Sequence, residues 1–281
     1  MQKHVFRAMG TQIDLLSAAD EAGAAFDAAE AEFHRLEAIM TRFRPDSELS
    51  QLNEAGSLEA GRDLLEVVRL AVHGRERTDG RFDPTVHDAV AGAGYDRTFD
   101  DLPDDGPPPK SGRPCGGEVR ITGSRIDLGE GVKLDLGGIG KGYAAERAAS
   151  LLAEAGPCLV NAGGDVALRG TTWPIGVETS DGSLTLALEN GALATSGRDR
   201  RVWRRGGREL HHLIDPGTGE PAESDLLRAT VVAGDAVEAE IWAKALFLAG
   251  SDGAALEADE RRLPCLLVTA GGETRLAGGL R

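Results

Sequence analysis

The sequence predicts an α+β fold with antiparallel or mixed β-sheets and packed helices. Three observations predict it. Strand-like runs follow one another between residues 157 and 188 without the regular strand–helix alternation of a doubly wound parallel sheet. Val119 to Leu128 reads as a hairpin turning at Gly123-Ser124. Four helical patterns stand beside these strands. The chain has 281 residues, enough for one large domain or two smaller ones. Residues 1–281 are read as a single domain carrying a Pro/Gly-rich loop at about 100–117.

The elements follow in order. Between Asp20 and Arg44, the residues Phe26, Ala29, Phe33, Leu36 and Met40 recur at three to four positions, which is the stripe of an amphipathic helix. A second helix is predicted from about Leu64 to Asp79, with Leu64, Val67, Val68 and Ala71 on one face and Gly80 as its stop. Asp100 to Gly117 holds five prolines, four glycines and no periodicity, so it reads as a surface loop or linker. Val132 to Leu136 is predicted as a strand, Tyr143 to Ala155 as a helix, and Pro157 to Val160 as a buried strand. Short strands are then expected at Val166 to Leu168, Trp173 to Glu178, Leu184 to Leu188 and Ala229 to Ala233. A helix from about Val237 to Leu248 ends at Gly250, and Leu263 to Thr269 closes the core as a strand. No internal repeat is visible.

Composition bounds the function. With 31 basic and 46 acidic residues the formal charge is −15, which argues against broad contact with nucleic-acid phosphates or docking on anionic membranes. A small anionic ligand in a local pocket remains compatible. Three widely spaced cysteines form no C-x-x-C pair and point to a reducing compartment. The opening MQKHVFRAMGTQIDLL has no apolar stretch behind a basic start, and no apolar run reaches membrane-spanning length. A cytoplasmic protein without a membrane anchor in this chain is therefore expected.

The densest chemical cluster is Lys133-Leu-Asp-Leu-Gly-Gly-Ile-Gly-Lys-Gly-Tyr143. Glycines let backbone N–H groups approach a ligand, a helix start favours an anion, and Lys141 adds a point charge. It is neither a Walker loop, since Gly142 follows the lysine, nor a G-x-G-x-x-G turn. An anion site and a plain tight turn both fit. His211 and His212 precede an apolar pair and the turn sequence Asp215-Pro-Gly-Thr-Gly219. Neighbours on a strand face opposite ways, so one of the two histidines at most enters a pocket, as a general acid or base, and the pair is unsuited to metal. Gly80 to Val86 and Asn161 to Asp165 each set a carboxylate among small residues, and a loop with an Asx-type turn suffices for both. Glu240 and Lys244 stand four apart on one helix face, an ion pair that in its plainest form is exposed.

Taken together and in order, these pieces resemble the ApbE family, the FAD:protein FMN transferases. The resemblance rests on Met9-Gly-Thr11, on Met40 followed by Phe43 and Ser47-Glu-Leu-Ser50, and on Gly80-Arg-Phe-Asp-Pro-Thr85. It continues through Leu134 to Tyr143, Asn161-Ala-Gly-Gly-Asp165, Thr195-Ser-Gly197, His212-Leu-Ile-Asp-Pro-Gly-Thr-Gly219 and Ala239-Glu-Ile-Trp-Ala-Lys-Ala-Leu-Phe247. Any one piece is weak, whereas eight in order are specific.

The resemblance implies a T-fold-like architecture and an activity. FAD is cleaved, and FMN is joined by a phosphoester bond to a Thr or Ser hydroxyl in a flavinylation motif of an acceptor protein. It implies that Met9, Phe43, Arg81, Phe82, Asp83, Asp135, Lys141 and Ile214 line the FAD site and that His212 is the base acting on the acceptor hydroxyl. It also implies a Mg²⁺ site at the carbonyl of Gly138 and at an Asp and a Thr four apart on the late helix. This sequence departs there, with Glu240 and Lys244 at those positions. An ammonium is no ligand for a hard cation that wants oxygen. Three readings follow. Lys244 replaces Mg²⁺ in a metal-independent transferase, Mg²⁺ binds through other oxygens, or the chain binds or hydrolyses FAD without transferring FMN.

Overall fold

The computed structural model describes residues 1–280. The chain opens on the hairpin β1 (Gln2–Ala8) and β2 (Thr11–Ser17), then α1 (Gly23–Met40), α2 (Glu48–Ala55), β3 (Ser57–Glu59), α3 (Arg62–Arg77) and α4 (His87–Gly92). After a 3₁₀ turn at Phe99–Asp101 come β4 (Val119–Thr122), β5 (Arg125–Leu128) and α5 (Gly140–Ala153). Five strands follow: β6 (Cys158–Ala162), β7 (Asp165–Arg169), β8 (Trp173–Thr179), β9 (Gly182–Leu188) and β10 (Gly191–Gly197). The remainder is β11 (Val202–Arg205), β12 (Arg208–His211), β13 (Ile214–Asp215), β14 (Glu220–Pro221), β15 (Leu226–Ala233), α6 (Ala236–Arg261), β16 (Cys265–Thr269) and β17 (Thr274–Ala277). Among the described residues no helix is long and apolar enough to cross a membrane.

The chain divides into two compact units. The first comprises Met1–Glu37, Ile139–Gly197 and Ser224–Arg281; the second comprises Ala38–Gly138 and Arg198–Glu223. The first unit is built on an eight-stranded sheet in the order β1-β2-β6-β7-β10-β15-β16-β17, and its neighbouring strands pair antiparallel. Both faces of this sheet are covered. Cys158 reaches the Ala149 carbonyl of α5, so the parity of Cys158, Val160 and Ala162 marks the helix side. On the other parity Leu159, Val166, Leu168, Leu193, Leu266 and Val268 form a core with Trp173, Ile175, Val177 and Leu186 of the β8–β9 hairpin. Along β8 buried and exposed residues alternate, as a strand with one apolar face requires. The expected α+β class holds, and the sheets are antiparallel.

The second unit carries α2 to α4 and three small sheets, β3-β5-β4, β11-β12 and β13-β14. Val90, Ala93, Tyr95, Trp203, Leu210 and Ile214 form its apolar cluster, with Phe43 packed against it. The proline- and glycine-rich loop is pinned at several points. Lys110 N–H donates to the Gly92 carbonyl (3.0 Å), Cys115 N–H to the Pro216 carbonyl (2.8 Å), and Gly116 N–H to Thr85 Oγ1 (2.8 Å).

Two expectations need correction. Val132 to Leu136 forms no strand and joins no sheet. The Asn53 side-chain amide brackets Leu134, accepting from its N–H (2.7 Å) and donating to its carbonyl (2.8 Å), so a side chain satisfies the backbone groups that a strand neighbour would otherwise take. The late helix does break at Gly250 (φ 71°, ψ 171°) but resumes and runs to Arg261. Asp225 restarts it by accepting from Ser251 N–H (2.9 Å) and Ser251 Oγ (2.5 Å).

Candidate functional site

In the first unit, four charged side chains converge where α5 begins. Lys141 Nζ lies 2.5 Å from Asp165 Oδ2 and 2.7 Å from Glu240 Oε1, and Lys244 Nζ lies 3.1 Å from the same Glu240 oxygen. The other oxygen, Oε2, accepts the Gly142 N–H at 2.9 Å. Local sequence explains the convergence. Gly163 and Gly164, both at positive φ, turn β6 into β7 and deliver Asp165 on the helix side of the sheet. Asp235 caps α6 by accepting the Glu238 N–H (2.8 Å), which fixes the turn that presents Glu240. Gly142 is required for the close approach, since a Cβ there would stand 2.5 Å from the Ala236 carbonyl oxygen.

The electrostatics are polarised. The side chains of Asp165 and Glu240 are 4 % and 1 % exposed, whereas those of Lys141 and Lys244 are 17 % and 15 % exposed. The carboxylate side chains are thus the more deeply buried half of the cluster and the lysine side chains the less buried half. Burial alone would raise the Glu240 carboxyl, but Lys141 and Lys244 outweigh it and bring it down to about 2. Burial, and then the Glu240 charge, push Asp165 up. Burial pulls Lys244 down against the opposing attraction of Glu240. The exposed ion pair that was the plainest expectation for Glu240 and Lys244 is thus a buried network.

Also in the first unit, Met9 (φ 51°) and Gly10 (φ 68°) turn β1 into β2. A non-glycine residue at positive φ is held at a cost, and Glu37 Oε1 fixes this one by accepting the Met9 N–H at 2.7 Å.

The second unit holds the remaining expected residues. Asp135 accepts the Gly137 N–H on Oδ1 (2.7 Å) and pairs through Oδ2 with Arg42 Nε (2.8 Å), steadying the turn that contains Gly138. The Arg42 guanidinium also lies over the rings of Phe43 (4.3 Å) and Tyr95 (4.8 Å) and donates to the Tyr95 carbonyl (2.6 Å). Through Arg42, then, Phe43 and Asp135 share one assembly, and Ile214 sits in the adjoining apolar cluster. Arg81, Phe82 and Asp83 lie in another. Arg81 Nε donates to the Thr78 carbonyl (3.1 Å), Phe82 is buried, and Asp83 pairs with Arg75 (3.2 Å) while accepting from Thr85 N–H (2.8 Å). The Asx turn at Asp83 is present, whereas Asn161 Oδ1 accepts the N–H of Gly164, three residues on, at 2.9 Å. His211, at the end of β12, faces the Ala222 carbonyl (3.2 Å) from a buried position that lowers its pKa. His212, just beyond the strand, is half-buried.

A sequence profile described as the ApbE family matches residues 9–267. The chain belongs to the ApbE family. Among curated relatives, a "FAD:protein FMN transferase" of Salmonella typhimurium is 30 % identical over 237 residues, covering 76 % of this chain and 67 % of the relative. One from Klebsiella pneumoniae is 36 % identical over 127 residues, covering 42 % of this chain and 39 % of that protein. The crystal structure of the ApbE protein from Thermotoga maritima superposes with a TM-score of 0.87 at 27 % identity, covering 98 % of this chain and 96 % of that one.

The ApbE resemblance implies Mg²⁺, and the donor set at Glu240 does not suit it. Glu240 Oε1 already accepts from two ammonium groups and Oε2 from a backbone N–H. A divalent ion on Oε1 would stand close to both cations, and at about 4 Å each contact costs on the order of 8 kcal/mol at an effective dielectric of about 20. Among the described residues no group of three or more His, Cys, Asp or Glu side chains is placed to hold a metal ion.

Sequence reasoning missed three members of these assemblies. Asp165 was noted only as a turn carboxylate. Its Gly-Gly-Asp setting was the signal, since a two-glycine hairpin fixes the side of the sheet on which the next residue falls. Arg42 and Glu37 carried no signal, because their partners are distant in sequence or belong to the backbone.

Proposed function

We propose that this ApbE-family chain is an FAD:protein FMN transferase, taking FAD as substrate and a Thr or Ser hydroxyl of an acceptor protein as the site of attachment. The observation that carries the reading is the convergence of Lys141 and Lys244 at the start of α5, two partly exposed lysine side chains paired with more deeply buried carboxylates. Such an arrangement suits a diphosphate, whose charge is met by cations near a helix N-terminus.

The step balances simply. The acceptor oxygen attacks the phosphorus of the FMN half, forming the new O–P bond. The bond from that phosphorus to the bridging oxygen breaks, and AMP leaves with that oxygen. The hydroxyl proton passes to His212, the base that the family resemblance implies. The resemblance implies that Phe43, Ile214, Asp135 and Arg81 of the second unit are FAD contacts. In the first unit Met9 offers its flexible thioether. The resemblance implies that Phe82 and Asp83 line the FAD site as well, on a loop that Asp83 fixes through Arg75 and Thr85. The three cysteines, all unpaired, support a cytoplasmic setting.

The test is incubation with FAD and a protein carrying a flavinylation motif, followed by in-gel flavin fluorescence after denaturation. Covalently labelled acceptor is expected with the wild type and none with His212→Ala, at unchanged FAD affinity. Free FMN and AMP without labelled acceptor would instead identify FAD hydrolysis and sink the transferase reading.

A further inference from the structure

We propose that Lys244 stands in for a divalent cation, so that this chain binds the diphosphate of FAD through paired ammonium groups and needs no metal to do so. The inference rests on the FAD reading above and concerns how the phosphates are held.

Three observations on the first unit carry it. The Glu240 carboxylate has both oxygens occupied, by Lys141 and Lys244 on one side and by the Gly142 N–H on the other. A metal approaching Oε1 would have to evict a lysine to gain that oxygen. Lys244 is also under-used within the protein. An ammonium has three N–H donors, and one of those on Lys244 is engaged, with Glu240. Finally, the Lys244 side chain is 15 % exposed while that of its partner Glu240 is 1 % exposed. A lysine kept only for stability gains little from such a partner, since a buried ion pair contributes no more than well-packed apolar residues would. A lysine kept to meet an anion needs this arrangement, because Glu240 holds it charged and aimed, and its remaining donors are left for phosphate oxygens.

Binding of FAD, followed by quenching of flavin fluorescence, tests this with the full chain in EDTA and then with Mg²⁺ added. A parallel Mn²⁺ titration read by electron paramagnetic resonance reports metal binding directly. The expected results are equal FAD affinity in both buffers and no bound Mn²⁺. Lys244→Met should weaken both FAD and ADP by roughly tenfold or more, and Lys244→Arg should restore most of the affinity. Glu240→Asp combined with Lys244→Thr should bind Mn²⁺ and become dependent on Mg²⁺ for FAD. The inference is overturned if the wild type binds Mn²⁺ in the micromolar range, if EDTA weakens its FAD binding, or if Lys244→Met binds FAD normally. The wild-type arms stand even should Lys244→Met fail to fold. Wild type that binds FAD only with Mg²⁺ defeats this inference and leaves the transferase reading intact. Wild type that binds no FAD in either buffer defeats both.

Discussion

Gly142 and Glu240 meet backbone to side chain: the glycine N–H donates to Glu240 Oε2 at 2.9 Å, and the α-carbon sits where no Cβ fits. The obstacle is the Ala236 carbonyl, a backbone atom that cannot swing aside as a side-chain tip can. Gly142→Ala should therefore push α5 and α6 apart and lower stability by about 2 kcal/mol, read from urea denaturation. FAD affinity should fall with it. An unchanged unfolding midpoint would show that the two helices have slack there.

Glu240 makes a separable prediction. Glu240→Gln leaves Lys141 and Lys244 facing each other without their shared anion, so stability should drop by about 3–5 kcal/mol. Its pH signature can be assigned a sign. A carboxyl lowered on folding contributes stability above its ordinary value of 4.5 and loses it as pH falls through about 2. Asp165, raised on folding, acts in the opposite sense: its contribution is present in acid and is lost as pH rises through its folded value. The wild type should lose stability between pH 4.5 and about 2 with the Asp165 contribution offsetting part of the loss, and Glu240→Gln should lack the Glu240 part of that slope. Unfolding midpoints measured across this acid range decide it.

Met9 offers a case in which stability and binding should move in opposite directions. Its φ of 51° strains a side-chain-bearing residue, so Met9→Gly should stabilise the hairpin by about 1 kcal/mol. The same change removes a thioether proposed to touch the flavin. A higher melting temperature together with weaker FAD binding is the expected pair of results, and equal FAD affinity would remove Met9 from the ligand's surroundings.

Arg42 is expected to act through Asp135. The two side chains are 8 % and 11 % exposed, so Arg42→Met should cost about 3 kcal/mol by leaving a nearly buried carboxylate without its cation. Arg42→Lys should recover part of this, because one ammonium cannot serve Asp135 and the Tyr95 carbonyl with the planar fork of a guanidinium. The change in tryptophan fluorescence is a second readout, since Tyr95 contacts the Trp203 ring at 5.4 Å.

Much of this fold is legible in the sequence. The stripe Phe26, Ala29, Phe33, Leu36 and Met40 gave α1 because a one-sided apolar face leaves a clear period. Gly250 marked a real break because its backbone angles suit glycine. Glu240 and Lys244 were singled out from their spacing, but an i,i+4 pair looks the same in sequence whether water or protein surrounds it. What made it a buried network was Asp165, delivered from a strand 75 positions away from Glu240. The strand expected at Val132 to Leu136 failed for a similar reason. Its apolar content was read correctly, yet the partner that satisfies its backbone is the side chain of Asn53.

The pairing of β2 with β6 has a consequence for how the chain is made. Ser17 lies opposite Cys158 in the central sheet, so neighbouring strands are separated by about 140 residues of intervening chain. The larger segment of the second unit, Ala38–Gly138, lies in that interval, and its second segment, Arg198–Glu223, follows it. On the ribosome the first hairpin must wait, its inner edge unpaired, until synthesis has passed the whole insertion. Closing so long a loop slows folding, because the entropy is lost before the contacts form. Packing of the Ala38–Gly138 segment while the nascent chain is still growing would shorten that loop in effect, turning what looks like an interruption of the sheet into a step that lets the sheet close.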